Sequence, residues 1–259
     1  MRNNCKIISI INQKGGVGKT TTSINLATAL SLHQKNILLI DLDPQGNLSA
    51  GMGLENTDRA QSIYSLLLDD ASIQSVIKKT LIPNIDIITS NQDLSAFDTE
   101  VSNLEYKELL INKKLKYINE TFQKYDYIFI DCAPSLSLLT VNALTASNSV
   151  LIPLQCEFFA LEGIANILKI INYIRSILNP ELTVEGILLT MFDRRNRLCK
   201  EIVADVRKNF GNLVYDQVIP RNVKLSEATS HGKPIMLYDS RCSGSISYIL
   251  LAQEILKKH

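Results

Sequence analysis

The run Ile7-Ile8-Ser9-Ile10-Ile11-Asn12-Gln13-Lys14-Gly15-Gly16-Val17-Gly18-Lys19-Thr20-Thr21 decides the fold. It opens on an apolar stretch that does not alternate, the pattern of a strand buried on both faces. Three glycines follow, and residues 20–32 then carry apolar side chains at helical spacing. Glycine lets backbone N–H groups turn toward an anion with no Cβ in the way. The start of the helix adds unpaired N–H groups and the positive end of its dipole. Strand, glycine loop, Lys-Thr and helix together specify a phosphate-binding loop. Lys19 would reach the β- and γ-phosphates of a nucleotide, and the Thr20 hydroxyl would ligate Mg²⁺. The common spacing G-x-x-x-x-G-K-[ST] puts its first glycine at Gln13; this chain lacks it there and adds a second lysine, Lys14.

Outward from the loop, short apolar runs alternate with longer amphipathic segments. Strands are expected at residues 6–11, 36–40, 85–89, 127–130, 150–153, 184–190 and 214–219. Helices are expected at 20–32, 103–124, 138–146, 161–178, 198–210 and 245–258. The alternation implies right-handed crossovers and a P-loop NTPase fold. It is an α/β domain spanning residues 1–259, with a mostly parallel twisted sheet and helices on both faces. Residues 46–83 are the least regular and are read as loops around two short helices. A chain that is 46% hydrophobic and 20% charged can bury a core without metal or disulfide. The five cysteines, Cys5, Cys132, Cys156, Cys199 and Cys242, show no CxxC spacing. That argues against zinc or a disulfide framework and for a reducing cytoplasm. No stretch has a signal-peptide core or approaches a membrane span of roughly 18 apolar residues.

Three carboxylates end apolar runs. Asp131 closes the run at 127–130, where an open α/β sheet presents strand ends to its ligand crevice; it would hold the Mg²⁺ shell through water. Asp41 and Asp43 end the second strand on one face, near the γ-phosphate position.

These motifs resemble the ParA/Soj family within the ParA/MinD class of P-loop ATPases. The segment Lys14-Gly15-Gly16-Val17-Gly18-Lys19-Thr20-Thr21 resembles the deviant Walker A motif of that class. Residues 39–47, containing Asp41-Leu42-Asp43-Pro44-Gln45-Gly46, resemble its switch I. Residues 129–135, containing Asp131-Cys132-Ala133-Pro134, resemble Walker B and switch II. Residues 219–228, starting Ile219-Pro220-Arg221-Asn222, resemble the segment that closes over the base in chromosomal ParA proteins. The resemblance implies ATP and Mg²⁺ as cofactors and Lys14, Lys19 and Asp43 as the catalytic set. Thr20, Asp131 and Asp41 would stand near the metal, and Asp43 would orient the attacking water. Gln45 would contact water or the partner subunit. Lys14 would cross a nucleotide-sandwich homodimer to the phosphates of the other subunit. A cation there stabilises charge shifted in phosphoryl transfer. Pro220 would pack on the adenine and Asn222 would hydrogen-bond its edge. Met191 and Phe192 are weighted toward the core rather than the ring.

Charge is unevenly spread. Residues 190–259 hold 12 Lys and Arg against 7 Asp and Glu, a net of +5, whereas residues 1–189 are at −4. Soj-like proteins bind DNA without sequence preference through basic residues matching Arg195 and Lys224. Several weak phosphate contacts release counterions, and dimer symmetry multiplies them. The implied function is an ATP-dependent dimerising ATPase, slow and partner-stimulated, that partitions a chromosome or plasmid. A ParB-like (Spo0J-like) partner and a cytoplasmic, nucleoid-associated location go with it. The N-terminal DNA-binding extension of longer plasmid relatives is expected to be missing. A MinD-like membrane ATPase is the alternative. Against it, Tyr248, Ile249, Leu250, Leu251, Ile255 and Leu256 read as the packed face of a core helix, so no membrane contact is expected. The cysteine contexts argue against a nitrogenase-iron-protein-like cluster site.

Overall fold

The computed structural model describes residues 5–258 except 70 and 123. Its strands are β1 (Lys6–Ile10), β2 (Ile37–Leu42), β3 (Ile77–Lys79), β4 (Ile85–Ile88), β5 (Tyr127–Cys132), β6 (Ser149–Gln155) and β7 (Thr183–Thr190). They pair as one sheet in the order β3-β4-β2-β5-β1-β6-β7. Every pairing is parallel except that of β3 with β4. The helices are α1 (Lys19–Ser31), α2 (Asn47–Gly51), α3 (Ile63–Leu68), α4 (Ile73–Val76), α5 (Phe97–Glu100), α6 (Leu110–Phe122), α7 (Leu138–Ala146), α8 (Ala160–Ile177), α9 (Arg197–Phe210), α10 (Val223–Ser230), α11 (Ile235–Tyr238) and α12 (Ser243–Lys258).

Alternation along each strand sends side chains to two separate cores. Leu38, Ile40, Ile128, Ile130, Val150 and Ile152 pack against α6, α7, α8 and α9 on one face. Ile8, Ile10, Leu39, Phe129 and Leu151 pack against α1, α10 and α12 on the other. The strands are therefore apolar at nearly every position, as their unalternating sequences implied. α1 lies deep in the second core, with Thr22 through Ser31 all buried.

Several boundaries differ from the sequence expectation for identifiable reasons. Residues 214–219 are not a strand. Tyr215 and Ile219 each donate one amide to β7 carbonyls, at Ile187 and Leu189. Between them the Asp216 and Gln217 amides donate to the Glu254 carboxylate on α12, at 2.9 and 3.0 Å. A side chain on another element has taken the place of a ladder. The helix expected at 103–124 begins as α6 only at Leu110; Tyr106, at φ +57°, holds the left-handed conformation before it. Residues 46–83 hold three short helices, a 3₁₀ turn at Asn56–Arg59 and the edge strand β3. Helix α10 lies where only a closing segment was expected. On α12, Tyr248, Leu251 and Ile255 are buried and Ile249 and Leu256 partly so, but Leu250 is exposed. Each residue of an α-helix turns by about 100°, so the four successive residues 248–251 cannot all share one buried stripe. Among the described residues no helix is long and apolar enough to cross a membrane.

Candidate nucleotide site

β1 lies between β5 and β6. The chain fills the positions on the β5 side before it crosses to β6 and β7, so the topological switch falls at the end of β1, where α/β sheets open a crevice. The glycine loop leaves β1 there. Gly16 and Gly18 have φ of +75° and +93°, a region that favours glycine. A Cβ added at Gly15 or Gly16 would meet nothing within 4 Å, so the loop faces an open cleft rather than packed protein. Gly18 caps α1 without any side-chain hydrogen bond to the first turn. The first N–H groups of this 13-residue helix thus point at the cleft uncapped by a side chain, the arrangement that favours an anion.

Both lysines of the loop have partners. Lys19, buried at 7% exposure, donates its ammonium to the Lys14 carbonyl at 3.1 Å. Burial holds its pKa below the usual lysine range, against the pull of Asp131, Cys132 and Asp43. Lys14 is half exposed and forms a close ion pair with Glu157, just beyond the end of β6. Its amide donates to the Asn12 side chain at 3.0 Å, and Asn12 donates to the Pro153 carbonyl of β6 at 2.8 Å. One strand further along, Thr190 at the end of β7 donates to the Val17 carbonyl at 2.8 Å. The loop is thereby anchored to two neighbouring strands.

Asp131 is buried behind Thr20. It accepts from the Thr20 hydroxyl at 2.7 Å and from the Ser23 hydroxyl at 2.7 Å. Burial, then the charge of Asp41, push its pKa up to about 7, although Ser23, Thr20 and Lys19 oppose this. Asp41 is paired in register with it on β2, is fully buried and is pushed up to about 6 by burial. Its oxygens accept the Ser49 hydroxyl and amide at 2.7 and 2.9 Å and the Asp43 amide at 3.2 Å. Asp41 therefore lies beneath the cleft, not on its surface. Asp43 lines the cleft with Gly15, Gly16, Lys19, Thr20 and Thr21; one of its oxygens accepts the Gln45 amide at 3.0 Å. The Thr20 hydroxyl lines the cleft and is a hard oxygen ligand of the kind Mg²⁺ takes; Asp131, buried behind it, would act on the metal's water shell.

A second cavity, of about 240 Å³, adjoins the cleft and shares Gly18, Thr21, Met191 and Ser226 with it. Pro220, Asn222, Ile219 and Tyr248 complete its wall. Asn222 accepts the Lys224 amide at 2.9 Å, capping α10, and donates to Ser243 at 2.9 Å. Met191, weighted to the core in the sequence, lines this cavity in a left-handed conformation at φ +52°. Phe192 does pack against the core. Arg194, Arg195 and Arg221 converge on a neighbouring surface cleft. Arg195 is paired with Asp193 at 3.2 Å and Lys224 with Glu227 at 2.8 Å. Both pairs are exposed, the kind that yields readily to another anion. Sequence reasoning missed Ser23, Asn12 and Glu157. Ser23 stands one helical turn after Thr20, a spacing that could have revealed it. Glu157 is 143 residues from Lys14, and no local signal joins them.

A family profile described as an AAA domain matches residues 5–184. The chain is 49% identical over 250 residues to the sporulation initiation inhibitor protein Soj of Bacillus subtilis, covering 96% of this chain and 98% of that one. It is 47% identical over 256 residues to the chromosome partitioning protein ParA of Caulobacter vibrioides, covering 99% and 96%. Among solved structures it is similar to cobyrinic acid a,c-diamide synthase from Mycobacterium smegmatis with bound ATP analogue and magnesium. That match has 30% identity and a TM-score of 0.84, and covers 98% of this chain and 95% of that one.

The buried carboxylates give a signed pH prediction. A carboxyl that holds its proton more tightly folded than unfolded costs stability as pH rises from its ordinary value near 3.9 to its folded one. For Asp131 that folded value is about 7 and for Asp41 about 6. Without Mg²⁺ or nucleotide, stability should therefore fall between about pH 4 and about pH 7 and level off above that. Asp131→Asn should make that fall shallower and raise the unfolding free energy at pH 8 by roughly 1–3 kcal/mol. Parallel urea-stability curves for the two proteins across this range would contradict the assignment.

Proposed function

Because the chain belongs to the ParA/Soj family of chromosome-partitioning proteins, we propose that it is an Mg²⁺-dependent ATPase working as a dimerising switch. ATP-bound homodimers hold DNA without sequence preference, and a ParB-like (Spo0J-like) partner triggers hydrolysis and release. The work is the partitioning of a chromosome or plasmid, on the nucleoid. One observation carries this reading: a single glycine loop presents two lysines, Lys19 inside the cleft and Lys14 at its rim.

The phosphates lie against Gly15, Gly16, Val17, Gly18, Lys19, Thr20 and Thr21. Lys19 exchanges the Lys14 carbonyl for phosphate oxygens. Mg²⁺, when bound, neutralises charge on the phosphates; Thr20 ligates it and Asp131 holds its water shell. Asp41 fixes the Asp43 amide and so the start of switch I. Asp43 orients the attacking water. Pro220 and Asn222 close the base cavity, with Met191 as a further wall. Lys14 of each subunit reaches the phosphates of the other, which makes ATP occupancy and dimerisation interdependent. Arg195 and Lys224, near the basic cleft of Arg194 and Arg221, contact DNA phosphates, each twice per dimer.

Two measurements test this. Asp43→Ala should retain ATP and Mg²⁺ but lose hydrolysis in single-turnover assays; turnover at the wild-type rate would remove Asp43 from catalysis. In co-sedimentation with ATP, the protein should bind DNA of any sequence, with log affinity falling about 0.9 per neutralised phosphate per log unit of salt. Arg195→Glu and Lys224→Glu should each weaken this at least about tenfold while leaving dimerisation intact. Binding to anionic liposomes that survives both reversals, with none to DNA, would instead establish a MinD-like membrane role.

A further inference from the structure

Lys14 and Glu157 form the contact that the proposed mechanism does not use. The two are brought together by topology: β1 and β6 are neighbours, so the residues following their ends meet at the rim of the cleft. The loop's backbone is fixed at the same place. The Lys14 amide is held by Asn12, which is itself held by the Pro153 carbonyl of β6. Glu157 is braced as well, its carbonyl accepting the Ala160 amide at 3.0 Å at the start of α8. Its side chain is 28% exposed and that of Lys14 is 53% exposed, so neither is locked into the core.

We propose that Glu157 is a positioning residue that holds Lys14 within its own subunit and must release it before dimerisation. This rests on the reading of Lys14 as the lysine that crosses to the partner's phosphates. The same ammonium cannot fully serve its own Glu157 and a phosphate on another subunit. A carboxylate in this position therefore competes with the trans contact and sets a threshold for assembly. The competition has the right strength for a switch. An exposed ion pair shifts an equilibrium by about 1.5- to 5-fold. A symmetric dimer would release two pairs, one from each subunit, giving roughly 2- to 25-fold. ATP, with several negative charges, overcomes such a restraint; ADP, which lacks the γ-phosphate, offers less in exchange.

Glu157→Gln removes the charge and keeps the shape. With saturating adenylyl imidodiphosphate and Mg²⁺, sedimentation equilibrium should show the dimer dissociation constant falling about 2- to 25-fold relative to wild type. The gain should depend on Lys14. Lys14→Ala should be predominantly monomeric, and the double variant Lys14→Ala/Glu157→Gln should be no more dimeric than Lys14→Ala. An unchanged or weaker dimer in Glu157→Gln would overturn the proposal. So would an equal gain in the Lys14→Ala background, which would assign the effect to the carboxylate's field on the nucleotide. Wild-type dimerisation by Lys14→Ala alone would instead defeat the underlying reading of Lys14, a separate outcome. Circular dichroism and thermal melting of each variant would identify any that fails to fold, and Glu157→Ala then supplies a second charge-removing variant with the same expected gain.

Discussion

Two carboxylates buried opposite one another on adjacent strands set the constraint on which the site depends. Asp41 on β2 and Asp131 on β5 are register partners, both almost wholly removed from water. The Lys19 ammonium partly offsets the Asp131 charge. A charge in such surroundings is costly unless paired. The protein offsets part of that cost with hydroxyls: Thr20 and Ser23 on Asp131, Ser49 on Asp41. A divalent cation would offset more. The site is thus built at some expense in stability, which a bound cation would relieve.

The same hydroxyls join function to fold. Thr20 and Ser23 lie on the first turns of α1, so the bonds that satisfy Asp131 also fix α1 against β5. The loop between β1 and α1 is then held at fixed points: Asn12, bonded to Pro153 of β6, Val17, bonded to Thr190 of β7, and Thr20, bonded to Asp131. Its glycines supply the left-handed turns this path requires at Gly16 and Gly18. The adjoining cavity is built against the same frame and is lined by Gly18, Thr21, Pro220 and Asn222. Since Asn222 also caps α10, the wall of this cavity leads directly into the helix bearing Lys224. A change at the cavity is therefore mechanically close to the surface proposed to meet DNA.

What the sequence made legible was whatever is encoded locally. The glycine loop, Lys19, Thr20 and the strand-end aspartates are read within a few residues, because strand, turn and helix start each have short-range chemistry. The parallel sheet was legible because strands buried on both faces are apolar without alternation. Features that depend on distant partners were not. The amides of Asp216 and Gln217 find Glu254 on α12, so a strand-like sequence at 214–219 makes no ladder. The pairing of Lys14 with Glu157 requires β6 to lie beside β1. Asp43 and Asp41 look equivalent in sequence, yet Ser49, eight residues after Asp41, draws one beneath the cleft and leaves the other lining it. Arg195 and Lys224 were legible only through resemblance. Their exposed pairing with Asp193 and Glu227 depends on side-chain placement that charge counting does not contain.

In the proposed switch the γ-phosphate, met by Lys14 from the other subunit, drives assembly. Sedimentation velocity of the wild-type chain with Mg²⁺ tests it most directly, run without nucleotide, with ADP and with adenylyl imidodiphosphate. The chain should sediment as a monomer of 28.9 kDa in the first two conditions and as a dimer in the third. The same distribution of species in all three would contradict it.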